Sequence, residues 1–214
     1  MKHQNKRLDN EQDARTRLLE AGITLFAEKG YAGTSVREIV EKAVVTKPVL
    51  YYYFKSKEGI FRAILDWAAE REEDLLFQVL ETPGTVMERL IHLCHLVYQG
   101  VLENQNLSKM IHNLIFGPPQ GVPNYDFKQY HRRMVKAVKA VYLEGLARGE
   151  VKKADPDEVA NLVLGLIDYC LHLDNIYPES LDPGRPERLL RLAFEGMVKT
   201  DSLEQKRQKE YEQT

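Results

Sequence analysis

The chain has 214 residues, 43% of them hydrophobic and 29% charged, which suits one large globular domain or two small ones. A mean hydropathy of -0.42 and the lack of an apolar run near ~20 residues argue against a transmembrane helix, and the polar first ten residues hold no signal-peptide core, so a cytoplasmic protein with no membrane partner is expected. The net charge of -2 is unevenly spread: residues 1–66 hold 12 Lys and Arg against 9 Asp and Glu, a mildly basic head on an acidic body.

The periodicity is helical nearly throughout. A first helix is expected from Asp9 to Lys29, with Leu18, Leu19, Gly22, Leu25 and Phe26 on one face; Gly30 ends it and Tyr31 folds back. Ser35 and Glu38 have capping-box spacing and start a short helix whose inner stripe is Val36, Ile39, Val40 and Ala43. Thr46 is placed to cap a third helix that tolerates Pro48 in its first turn. Ser56 caps a long fourth helix with Ile60, Phe61, Ile64, Leu65, Ala68, Leu75, Leu76 and Val79 inward. Thr85 and Glu88 box a fifth that runs to about Asn104, and a shorter sixth covers Leu107 to Phe116. Residues 117–123 carry two glycines and three prolines and read as a loop. Tyr125 to Arg148 is helical again. Asp155-Pro156-Asp157-Glu158 opens a helix to Ile176 that is apolar on nearly every side, as befits burial between its own core and a second subunit. A last helix carries Leu189, Leu190, Leu192, Ala193, Phe194, Met197 and Val198.

Two short helices joined by Lys42-Ala43-Val44-Val45, with a long helix on each side, describe a helix-turn-helix. In the third helix Leu50 and Phe54 can face the core. Thr46, Val49, Tyr52 and Tyr53 then fall opposite, flanked by Lys47 and Tyr51. Three consecutive tyrosines are hard to satisfy in a small core but sensible at DNA, where hydroxyls bond phosphate and rings lie on sugars and thymine methyls. Lys55 and Lys57, at the start of the fourth helix, are placed to hold a phosphate. The competing reading is a solvated Lys/Tyr surface.

The segment Thr16 to Leu65 resembles the DNA-binding domain of the tetracycline-repressor (TetR) family. The matching stretches are Thr16-Arg17, Leu25 to Tyr31, Thr34 to Ile39 and Thr46 to Glu58. The resemblance implies an all-α fold of about nine helices: a helix-turn-helix domain at 9–57, a helical ligand-binding and dimerisation domain at 58–204, and a charged tail at 205–214. It also implies a homodimeric regulator, most often a repressor, that binds double-stranded palindromic operator DNA and is released by a small-molecule effector. Arg37 matches a base-reading position; Thr46, Lys47, Pro48, Val49, Tyr51 and Tyr52 match positions facing the major groove; Tyr53 and Lys57 match phosphate contacts. The family's usual turn glycine is Val44 here, which costs ~1 kcal/mol if that position needs a positive φ.

Polar, aromatic and sulfur side chains on otherwise apolar helices are candidates for the effector site: His92, His95, His112, Asn113, Phe116, Tyr130, Met134, Asp168, Tyr169 and His172. The alternative for each is a satisfied core or interface residue. His92/His95 and Asp168/His172 have chelating spacing, but without HExxH or clustered cysteines no metal or cofactor is expected. Cys94 and Cys170 lie apart in apolar stretches and read as buried thiols. No P-loop, GxGxxG, GxSxG or HExxH is present, so an enzyme is not expected. The remaining alternative is a helix-turn-helix regulator whose C-terminal domain takes a protein partner or a metal in place of an organic ligand.

Overall fold

The computed structural model describes residues 2–117, 121–177, 179 and 181–196. Pro118, Pro119 and Gln120 of the expected loop, Met197 and Val198 of the last stripe, and the 205–214 tail lie outside them. Among the described residues the fold is all-α, with nine helices and no strand: α1 (Lys2–Gly33), α2 (Val36–Lys42), α3 (Lys47–Phe54), α4 (Lys57–Glu81), α5 (Val86–Glu103), α6 (Gln105–Phe116), α7 (Phe127–Ala147), α8 (Pro156–Ile176) and α9 (Arg185–Glu195).

Local chemistry sets most of the boundaries. Gly30, at φ 72° and ψ 172°, interrupts α1 in a region open to glycine alone, and Tyr31 folds back against Phe26 and Phe61 with ring centroids 5.8 and 4.8 Å away. Both capping boxes form, Ser35 with Glu38 and Thr85 with Glu88. Asn104, between α5 and α6, accepts from the Leu107 amide at 2.9 Å, so α6 begins two residues earlier than the apolar pattern indicates. Thr46 sits at the N-cap of α3 but makes no cap hydrogen bond, which corrects the capping role expected of it.

The side chains divide into two cores. The first gathers Leu18 to Ala27 of α1, Ile39 and Val40 of α2, Leu50 and Phe54 of α3, and Ile60, Phe61, Ile64 and Leu65 of α4. The second joins Leu76 and Val79 of α4 to α5, α7, α8 and Leu190 of α9. Helix α4 therefore belongs to both, with each fully buried side chain contributing ~1.5–3 kcal/mol. Arg89 of α5 clamps its far end, donating to the Val79 and Leu80 carbonyls at 3.3 and 2.8 Å.

Helix α4 is not the only bridge. Helix α6 packs along α1, and Leu107 and Met110 enter the first core. This explains why residues 21–23 and 25–27 are all buried, a wider band than the single face read from the sequence.

Helix α8 also departs from expectation. By length and composition it could cross a membrane, the one helix among the described residues that could, so the exclusion based on run length does not hold. One side of it, through Ala160, Val163, Leu164, Ile167 and Cys170, is buried in this protein. The other leaves Leu162, Tyr169 and Ile176 about half exposed, at 46%, 55% and 51%.

Candidate DNA interface and helical-domain cavity

The first site is the outer surface of α2 and α3. Leu50 and Phe54 are buried as the periodicity requires, and this turns Thr46, Lys47, Pro48, Tyr51, Tyr52 and Lys55 to solvent. Tyr52 is 67% exposed, an apolar ring in water with its edge against Tyr53 at 5.0 Å between centroids. Val49 and Tyr53 are half-buried against the first core, so they lean inward more than their angular positions indicate. Arg37 projects from α2 with its side chain 76% exposed, held by Glu41 one turn on at 2.7 Å.

The turn between these helices places Val44 at φ 55° and leaves it 82% exposed. That is the left-handed conformation for which glycine is suited, so the valine carries the ~1 kcal/mol strain anticipated for it. A second positive φ, 65° at Lys55, ends α3. The chain then enters α4 by a tight corner in which the Ser56 hydroxyl accepts from the Gly59 amide at 2.9 Å. A Cβ on Gly59 would lie 1.7 Å from the Phe54 carbonyl oxygen, so this corner admits glycine alone. The sequence pattern alone did not single out Gly59, although a glycine in the first turn of a helix is the signal for such an approach.

Lys57 has different work from its neighbours. Its ammonium donates to the Tyr31 and Thr34 carbonyls at 2.9 and 3.0 Å and lies 4.2 Å from the centre of the Tyr31 ring. Two of its donors thus tie the end of α1 to α4, a structural role beside the phosphate contact expected of it. Lys57→Ala is expected to lower unfolding stability by about 2 kcal/mol, because two charge-assisted hydrogen bonds are lost. Arg37→Ala is expected to leave stability unchanged and to cost about 1–3 kcal/mol on the cognate DNA site only. Urea unfolding and titration of cognate and scrambled duplexes distinguish the two; equal stability of Lys57→Ala and wild type would return that lysine to the DNA surface.

The second site is a cavity of about 400 Å³ walled by α4, α5, α6, α7 and α8. His112, Phe116, Tyr130, Met134 and Asp168 line it, and His172 stands beside it with Nδ1 3.3 Å from His112 Nε2. Burial, then the neighbouring imidazole, lowers the His112 pKa. The other four candidates lie elsewhere. His95 meets Glu187 at 3.3 Å on the α5 surface, Tyr169 sits on the exposed side of α8, and neither His92 nor Asn113 reaches the cavity wall. They satisfied the rule of a polar group on an apolar helix but face the wrong way. Among the described residues no three His, Cys, Asp or Glu are grouped to hold a metal, and Cys94 and Cys170 are buried free thiols.

One buried acid of the cavity wall was not anticipated. Glu72 of α4 lines the wall with its side chain only 4% exposed, and its carboxylate is held by Arg133 of α7 through Nη2 and through Nε at 3.0 Å. Burial outweighs the guanidinium and pushes the Glu72 pKa up to about 6. The available signal was an acid standing between Ala68 and Leu76 in an otherwise apolar stripe. Tyr130 and Asp168 are also shifted upward, chiefly by burial.

A helix-turn-helix with an exposed recognition surface, coupled to a helical body that carries a cavity, defines the class of DNA-binding regulators. Residues 18–64 match the family described as "Bacterial regulatory proteins, tetR family". The HTH-type transcriptional repressor KstR2 of Mycolicibacterium smegmatis is 28% identical over 158 residues, or 72% of this chain and 73% of that one. The TetR family transcriptional regulator PfmR from Thermus thermophilus has the same fold, with a TM-score of 0.66 and 22% identity over 86% of this chain and 100% of that one. So does the transcriptional regulator FadR from Bacillus subtilis, solved in complex with stearoyl-CoA, with a TM-score of 0.66 and 20% identity over 86% of this chain and 99% of that one. Residues 18–64 thus form a DNA-binding domain of the tetR family, and the chain is a DNA-binding transcriptional regulator. These relatives regulate transcription and are not enzymes.

Proposed function

We propose that this regulator is a homodimeric repressor that acts in the cytoplasm on palindromic operator DNA and leaves it when a small molecule fills the cavity. Arg37, Thr46, Lys47, Pro48, Tyr51 and Tyr52 read the major groove, Lys55 holds phosphate, and Val49 and Tyr53 support them from the inner side. The working division of labour is a reading unit at 9–57 and a sensing and pairing unit at 58–204.

One observation carries the effector reading: Leu107 of α6 is both a wall of the cavity and a member of the first core. Whatever packs against that wall therefore acts on the body that positions α2 and α3. A ligand can weaken DNA binding only by its differential affinity for the two arrangements, typically about 1–3 kcal/mol. The concave shape and the volume of about 400 Å³ also favour a small effector over a protein partner. The name of KstR2 supports repression, and the stearoyl-CoA complex of FadR supports a small ligand in a body of this fold.

Dimeric reading has a geometric signature. A two-fold pair of recognition helices enters successive major grooves, so half-site centres are expected roughly 34 Å or a multiple apart. Sites selected from random duplex DNA by the full chain are expected to be inverted repeats. Enrichment of single, unsymmetrical sites would sink the homodimer reading.

A further inference from the structure

The Glu72 carboxylate is only half satisfied. Its Oε2 receives both Arg133 donors, whereas Oε1, although buried, meets no donor among the described residues. A buried charged acceptor without a partner is costly, and because Glu72 belongs to the cavity wall, a turn of its side chain would present Oε1 to a donor in the cavity. Acidic side chains outnumber basic ones around it. Asp74, Glu103 and Asp168 join Glu72 in the lining, against a single guanidinium, Arg71, which is engaged by Glu103 and lies 5.3 Å over the Trp67 ring. Arg133 does not redress the balance, since Glu73 is 3.3 Å from its Nη1 on the far side from Glu72 Oε2. Leu75, Leu96, Ile111 and Met134 supply the apolar part of the wall, beside polar groups such as Gln78, Gln99 and Asn175.

We propose that the cavity takes an apolar organic cation, a protonated amine whose N–H donates to Glu72 Oε1 while its hydrocarbon body lies against Leu96, Ile111 and Met134. The inference rests on the cavity being the effector site and adds the chemical class of its ligand. Phe116 and Tyr130 bring aromatic rings to the wall, a setting that favours a cation over a neutral group of the same size. A free carboxylate would set its anionic end near Asp74 and Asp168, which no ion pair offsets among the described residues. The volume of about 400 Å³ suits a drug-sized molecule.

The test uses the full chain and three probes of one shape: 5-phenylpentylamine, 5-phenylpentanol and 5-phenylpentanoate. Calorimetry at neutral pH is expected to rank them amine, alcohol, carboxylate, with the amine at least tenfold tighter than the carboxylate. Glu72→Gln keeps the volume and an acceptor for Arg133, and is expected to cost the amine at least tenfold while leaving the alcohol within twofold. Should that variant fail to fold by circular dichroism, Asp168→Asn, which touches neither Glu72 nor Arg133, is expected to weaken the amine alone by about threefold. Tighter binding of the carboxylate, equal amine affinity in wild type and Glu72→Gln, or no binding of any probe at millimolar concentration each overturns the proposal. The effector reading fails separately: an amine that binds through Glu72 yet leaves operator affinity unchanged keeps the ligand class and removes its regulatory role.

Discussion

Leu162→Glu combined with Leu192→Glu is expected to leave a folded monomer whose affinity for a palindromic operator falls by at least a hundredfold. Leu162, Tyr169 and Ile176 recur at intervals of seven along α8 and so share one face, each about half exposed, and Leu192 of α9 is 45% exposed. Gly165, on the same helix, has open space where a Cβ would stand, so a second backbone could approach closely there. Burying leucines of this size stabilises by ~1.5–3 kcal/mol apiece, and a two-fold interface counts every substitution twice. Glutamates in their place would bring like charges together across the axis in a desolvated seam. Each half-site contact alone is weak; linking two of them supplies an avidity of ~10²–10⁴, which the monomer forfeits. Sedimentation equilibrium with operator titration checks both halves of the result. A double variant that stays dimeric would move the interface away from α8 and α9.

Gly59→Ala is expected to have the largest effect of any alanine substitution at the described glycines. The added carbon would sit 1.7 Å from the Phe54 carbonyl oxygen, a backbone atom fixed at the end of α3 by the buried Phe54 ring. No side-chain rotation relieves that contact, so α3 must separate from α4 and the Ser56 cap is lost with it. A cost of about 3 kcal/mol or more follows, at the upper end for overpacking, together with loss of specific DNA binding. Gly100→Ala is the matched control: nothing lies within 4 Å of its Cβ, and in the interior of α5 the change is expected to stabilise by about 1 kcal/mol. Thermal unfolding of the two variants checks the contrast. Similar melting temperatures for both would show that the corner can widen freely.

What could be read in the sequence was whatever chemistry acts within a few residues. The boxes at Ser35/Glu38 and Thr85/Glu88 and the Asp155-Pro156 start of α8 are local devices, and they set boundaries wherever the rest of the chain goes. The exposed face of α3 followed from Leu50 and Phe54 alone. What could not be read depends on partners distant along the chain. Lys57 looks the same whether its ammonium meets phosphate or, as here, the carbonyls of residues 23 and 26 positions earlier. Glu72 breaks an apolar stripe until Arg133, 61 positions on, is seen to meet it. The cavity residues His112, Phe116, Tyr130, Met134 and Asp168 were distinguishable from His92, His95, Asn113 and Tyr169 only by which side of each helix another helix covers. That is decided by tertiary packing, which periodicity does not record.

The wedging of α6 into the first core makes the seam between the helix-turn-helix head and the helical body run through side chains and not along the backbone. A cut after residue 57, where the chain looks divisible, would strip Leu107 and Met110 from the hydrocarbon that Leu18 to Ala27 share with them. The head is therefore not a cassette. Recombination that shuffles such heads among bodies must carry α6 with α1 or re-evolve the joint, and a designer who wants this recognition surface under a different sensor inherits the same constraint.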